Sequence, residues 1–318
     1  NILLETSQSC LTETFQDKIT ETTLSKLSDS SSELSTAAKG MIDISQQNPS
    51  SLDLQQVKDN FSEKLAESFA PINSVAGYAS HLSETEGVIV PLNNSFADIS
   101  QIAEDAASQI KNASEVSEVP QDTINSFSLM QDTAKNGGKL NAYGYSILSL
   151  VEEVESTVSD SSLLEEINVI KQGANEILDS AQSLYDLTQK DPRETALEEL
   201  KNQICEQCEK IASPINDISD STASAIDSGL LDEQLTKAFG KIKDNVSKAE
   251  SSQSNLASTA QANSQPSSKS ASNIASQKSS QAVSKDSSDS APSNSEQSKQ
   301  TDQTNSSEQP NNSKAADN

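Results

Sequence analysis

Cys205 and Cys208 form the one spacing in this chain with a familiar chemistry, C-x-x-C. A thioredoxin-like redox pair needs that spacing at a helix N-terminus beside a strand, where the thiol pKa is lowered. Here the apolar residues around the pair recur at helical intervals, so it falls mid-helix with no strand at hand. Cys208 then sits on the apolar face as a core residue, with Cys205 beside it. Cysteine's habit of burial favours a structural thiol over a redox centre. A disulfide from Cys10 stays open, since three cysteines in a secreted chain leave one unpaired. Zinc would need a fourth ligand. The single histidine, His81, lies far along the chain, so no metal site is expected. His81 has no Ser or Cys partner in a recognisable arrangement and is expected on the surface.

Paired carboxylates such as Glu152-Glu153 and Glu165-Glu166 are plentiful. Acids on helix faces are mostly solvated, and nothing singles out one pair as a glycosidase dyad. There is no phosphate loop, dinucleotide fingerprint or nucleophile elbow. One His, one Arg (Arg193) and no Trp make the chain poor in residues that catalysis favours. The expectation is a protein that is not an enzyme and holds no cofactor.

The elements that would position any site repeat. Sliding the chain by 143 residues pairs 33–75 with 176–218, with 11 of 43 residues identical, among them Pro49/Pro192, Leu54/Leu197, Lys58/Lys201 and Pro71/Pro214. The apolar positions agree better than the identities. Leu24, Leu27, Leu34, Ala38, Met41 and Ile44 match Ile167, Ile170, Ile177, Ala181, Leu184 and Leu187. Spacings of three, four and seven predict amphipathic helices. Pro49 and Pro192 then break them.

A second stripe runs through Leu54, Val57, Phe61, Leu65, Phe69 and Ile72, matched by Leu197, Leu200, Ile204, Cys208, Ala212 and Ile215. Pro71 and Pro214 are expected where one helix ends and the next begins. A third stripe matches Leu92, Phe96, Ile99 and Ala106 to Leu235, Phe239, Ile242 and Ala249. Asn136-Gly137-Gly138 reads as a helix stop between 121–135 and 139–158. The apolar residues of 2–19 would be the first-copy counterparts of those helices. Val88-Ile89-Val90 is the only strand-like run, ended by Pro91. The fold class is therefore all-α. It comprises two tandem antiparallel helical bundles, residues 1–115 and 116–250, followed by a disordered Ser-rich tail, 251–318.

Composition supports that division. Ser fills 22 of the last 68 positions, and no aromatic residue occurs there. Such a segment cannot bury enough apolar surface to offset its ordering entropy. The tail carries five Lys against six acids, so about −25 of the total −26 falls on 1–250. A body that acidic is repelled by nucleic acid, which is excluded as a partner, and by anionic membrane surfaces. No stretch approaches the roughly 18 apolar residues of a membrane span. The first residue is Asn rather than Met, which predicts a processed, secreted or cell-surface chain. Sequons begin at Asn60, Asn93, Asn112, Asn245, Asn305 and Asn311. The small residues before Asn318 fit a lipid-anchor attachment site, and the alternative is an ordinary terminus.

Phe61, Phe69, Phe96 and Tyr78 fill the first bundle core or line an apolar pocket. The pocket reading takes Leu65, Phe69, Ile72 and Phe96, recurring as Cys208, Ala212, Ile215 and Phe239. The second copy is then roomier, unless Tyr143, Tyr145 or Tyr185 fills the space. The segments Phe69-Ala70-Pro71-Ile72-Asn73-Ser74-Val75 and Ala212-Ser213-Pro214-Ile215-Asn216-Asp217-Ile218 each link one amphipathic helix to the next. In this, and in the order of modules and Ser-rich stalk, the chain resembles the fungal hydrophobic surface-binding proteins and cell-wall mannoproteins. The resemblance implies a secreted, non-catalytic binder of lipids or hydrophobic surfaces. The cysteines and the high acidity depart from that family's pattern. The expected function is thus a surface protein binding an apolar small molecule or hydrophobic surface. The alternative is a matrix or silk-like protein that self-associates through helices, against which the recurrent prolines argue.

Overall fold

Apolar stripes with helical spacing become eight helices in the computed structural model, which describes residues 18–46, 53–85, 90–116 and 119–262. They are α1 (Lys18–Ser45), α2 (Leu54–Glu67), α3 (Phe69–Glu84), α4 (Val90–Val116), α5 (Gln121–Glu155), α6 (Ser161–Thr188), α7 (Leu197–Asp227) and α8 (Glu233–Ala262). Among the described residues there is no strand. The strand-like run is not seen as one: Val90 opens α4, and Val88 and Ile89 lie outside the described residues. All described residues belong to one compact unit.

The ends follow local chemistry. Asp53 and Asp160 cap α2 and α6, accepting from the backbone N–H groups of Gln55 (2.9 Å) and of Ser162 and Leu163 (2.9 and 3.2 Å). Pro192 stands in the turn after α6, as expected, and Pro49 lies outside the described residues. Gly229, at φ 70°, ends α7 in the left-handed conformation that costs a glycine little.

The 143-residue offset carries over into the helix bounds. It takes 18–45 onto 161–188, 54–84 onto 197–227, and the start of α4 at 90 onto the start of α8 at 233. One difference stands out. Ser68 separates α2 from α3, and its Oγ donates to the Leu65 carbonyl (2.5 Å), so Pro71 falls in the first turn of a new helix. Pro214 instead lies inside the unbroken α7, which corrects the expectation of a helix start there. Proline removes one helical hydrogen bond, but burial holds this segment on both sides of it. Ile211, Pro214, Ile215 and Ile218 are all buried. A Cβ on Gly173 of α6 would stand 2.7 Å from Ile218 Cγ1 and 3.3 Å from the Pro214 oxygen.

Two further expectations are corrected. Asn136-Gly137-Gly138 does not stop a helix, since α5 runs through it for 35 residues. The ordered body also does not end at 250. The last helix continues to Ala262, with Leu256 and Ala260 fully buried. Residues 263–318, with Asn305, Asn311 and Asn318, lie outside the described residues, as do Cys10 and the N-terminal apolar residues up to 17.

Two apolar clusters form the interior. One unites α1–α4 around Leu24, Leu27, Leu65, Phe69, Ile72 and Phe96. The other unites α5–α8 around Ile147, Ile177, Ile204, Cys208, Ile215 and Phe239. The helix α5 takes part in both. Phe127, near its start, packs on Phe69 with ring centroids 4.6 Å apart and belongs to the first cluster. Leu129 and Met130, one turn on, belong to the second. The helix packs mainly on α3, α6 and α8, with smaller contacts to α4 and α7. The two halves therefore share a wall.

Candidate functional site

The residues expected to line a pocket are instead packed. Leu65, Phe69, Ile72 and Phe96 are buried in the first cluster, and Cys208, Ile215 and Phe239 in the second, while Ala212 is half-buried outside it. None of them lines any of four cavities between the described helices. Tyr143, one of the residues expected to fill any extra room in the second half, is 4 % exposed within that cluster. The physical reason is that large apolar side chains on facing helices interdigitate to the density of a crystal unless something polar keeps them apart.

The C-x-x-C pair behaves as a core element. Cys208 is buried, Cys205 half-buried, and both thiols are free. Burial, with Cys205 and Glu209 beside it, pushes the Cys208 thiol up to about 12. Redox cysteines need the opposite shift. Among the described residues no cluster of His, Cys, Asp and Glu is suited to a metal ion. Of the sequons, Asn60 and Asn112 are exposed, Asn93 is half-buried, and Asn245 is 1 % exposed. The Asn245 Nδ2 donates to the Lys241 carbonyl (3.2 Å), a position with no room for a glycan.

The cavity that concentrates chemistry lies where α1, α3, α5 and α6 meet, with a volume of about 360 Å³. Its floor is made of the smallest residues: Gly77, Ala134, Gly137, Gly138 and Ala181. Gly137 and Gly138 are where the sequence suggested a helix stop. The absence of side chains there lets α5 press onto α3, since a Cβ on Gly138 would overlap the Gly77 carbonyl oxygen. On the other side, a Cβ on Gly137 would stand 3.6 Å from Leu184 Cβ and 3.9 Å from the Ala181 oxygen of α6.

The walls are polar and aromatic. Three of the four tyrosines line the cavity: Tyr78, Tyr145 and Tyr185. Tyr78 donates to the Tyr185 hydroxyl at 2.6 Å, their rings 5.3 Å apart and tilted by 37°. Ser74 stands 3.3 Å from the same hydroxyl and donates to Gln189 Oε1 (3.1 Å). Asn73 Nδ2 donates to the Thr188 carbonyl (3.3 Å). These bonds tie α3 to the end of α6 across more than 100 residues of sequence. Burial, then the bond to Tyr185, raises the Tyr78 phenol well above its ordinary range, so it remains a neutral donor.

His81 is 5 % exposed, which corrects its expected surface position. It lines the cavity with its ring 6.0 Å from that of Tyr145. On the α1 side stand Thr22, Thr23 and Lys26, the last with Nζ 5.8 Å from the Tyr78 ring centroid. Asn141 and Gln182 complete the lining.

Sequence reasoning named Tyr78 as a core or pocket residue and Tyr145 and Tyr185 as fillers, but it did not bring them together. A usable signal was the choice of Tyr over Phe. A buried Tyr needs a partner for its hydroxyl and so sits at polar boundaries. Searches with the chain found no matching family model, no matching curated protein and no matching solved structure. No described helix is long and apolar enough to cross a membrane.

Proposed function

We propose that this chain is a non-catalytic, cell-surface or secreted binding protein that takes a small, largely apolar molecule between α1, α3, α5 and α6. The observation that carries the reading is the cavity itself. Its volume of about 360 Å³ falls within the range of small-molecule sites, and it combines aromatic walls with a few convergent polar groups. The packed helical cores are the scaffold. Exposed Asn60 and Asn112, the Ser-rich C-terminal sequence and the resemblance to the fungal surface-binding proteins support display outside the cell. The recurrence of helix bounds at an offset of 143 supports an origin by duplication.

The test is titration of the full chain with the neutral fluorophore N-phenyl-1-naphthylamine. The chain has no Trp, and three of its four tyrosines line the cavity. Binding there should therefore appear as energy transfer from tyrosine to the probe. Micromolar binding with such transfer is expected. No binding up to the probe's solubility limit would overturn the reading.

A further inference from the structure

In a protein with 48 acidic residues among 318, none of the fourteen residues lining this cavity is acidic. Three other cavities each carry carboxylates: Glu153 in one, Asp29, Glu33 and Glu67 in the next, Glu104 and Asp132 in the last. The acid-free cavity also holds one cation. Lys26 is exposed, and none of the ion pairs seen among the described residues uses it. It stands over the Tyr78 ring and lines the cavity with it.

Granted that the cavity binds a small molecule, we infer that it selects molecules carrying an anionic group on a flat aromatic body. Two features define the body. Gly77, Ala134, Gly137, Gly138 and Ala181 carry little or no side chain into the cavity, which leaves its volume to a ligand. The rings of Tyr78, Tyr185, His81 and Tyr145 all line the cavity, and an aromatic body packs favourably against such rings. One feature defines the head. The lining carries no carboxylate, and Asp186, which acts on Tyr78 from outside it, accepts from Gln182 (2.8 Å). An ammonium so placed forms a charge-assisted hydrogen bond to a carboxylate or sulfonate. The cavities lined by Asp29, Glu33 and Glu67 and by Glu104 and Asp132 carry more acid than base and would repel such a group, whereas the cavity at Glu153 also holds Lys237 and Lys241. The long-range field of the acidic chain also opposes anions, but it is screened beyond about 10 Å at 0.1 M salt. The contact inside the cavity is screened less.

The experiment compares two probes on the same scaffold: N-phenyl-1-naphthylamine, and 8-anilinonaphthalene-1-sulfonate, which adds the sulfonate. Both are titrated into the full chain at 0.1 M salt with tyrosine-to-probe energy transfer as the readout. The sulfonate is expected to bind about tenfold more tightly, and 1 M salt should reduce that preference. Lys26→Met is expected to abolish the preference, bringing the sulfonate's affinity down to that of the neutral probe. Because Lys26 is exposed, the variant should fold, and Lys237→Met at a different cavity serves as the charge control. Equal affinities, or a preference that survives Lys26→Met, would overturn the inference and leave the binding reading standing. Failure of both probes to bind would overturn the two together.

Discussion

Gly138 on α5 and Gly77 on α3 meet backbone to backbone. A Cβ on Gly138 would overlap the Gly77 carbonyl oxygen and stand 3.2 Å from the His81 amide nitrogen. The two helices that carry most of the cavity floor can approach this closely only because neither has a side chain at the crossing. In an isolated helix, Gly137 and Gly138 together would cost about 2 kcal/mol relative to alanine. The crossing outweighs that cost.

Gly138→Ala is therefore expected to destabilise the fold by about 2–3 kcal/mol despite alanine's better helix propensity, because the clash is with backbone. Gly240, in α8, has nothing within 4 Å of its added Cβ. Gly240→Ala is expected to stabilise by about 0.5–1 kcal/mol. Chemical denaturation of the two variants should give opposite signs. Stabilisation by Gly138→Ala would show that the crossing is looser than these distances require.

Truncation distinguishes the last helix from the segment beyond it. Removing everything after residue 250 deletes Leu256 and Ala260 from the second apolar cluster, and Ser252 is buried with them. A loss of about 2–4 kcal/mol is expected, by analogy with large-to-small core changes. Cutting after Ala262 leaves that cluster whole and should leave the melting temperature within a degree or two.

Cys208 should resist alkylation in the native protein at pH 8, while half-buried Cys205 reacts first, because the reactive species is the thiolate. Cys208→Leu should cost little, since Leu65 fills the matching place in the first half at 1 % exposure. Cys208→Asp should unfold the second cluster by burying an unpaired charge.

Stability is expected to fall on the alkaline side. The Cys208 thiol keeps its proton in the native state up to about pH 12, whereas in the unfolded chain it ionises near pH 9. The stability it contributes is complete below pH 9 and is lost as the pH rises toward 12. Tyr143 shifts the same way. Burial comes first among its causes, then the Glu84 carboxylate that its hydroxyl meets. Tyr143→Phe should flatten the decline in melting temperature above pH 9. An unchanged slope would show that these groups titrate alike in both states.

The bond between Tyr78 and Tyr185 joins the two halves and can be measured alone. A double-mutant cycle with Tyr78→Phe and Tyr185→Phe should give a coupling of about 0.5–1.5 kcal/mol. Additive effects would mean that the 2.6 Å contact contributes nothing beyond ring packing.

The all-helical class, the offset of 143 and the core position of Cys208 could all be read from residue types alone. The class and the place of Cys208 rest on local periodicity, since a helix repeats its own pattern every 3.6 residues whatever it packs against, and the offset rests on matching residues in two segments. The course of α5 through Asn136-Gly137-Gly138, the continuity of α7 through Pro214 and the reach of α8 to Ala262 could not. In each case local preference points to a break, and a partner from elsewhere in the chain reverses it: Gly77 for Gly138, Gly173 for the turn at Pro214, and the second apolar cluster for Leu256. The cavity belongs to the same class. Lys26, His81, Tyr145 and Tyr185 stand on four different helices, and no spacing along the chain records which faces of those helices meet. That was decided by which side chains were small enough to let backbones approach, and only the packed structure expresses it.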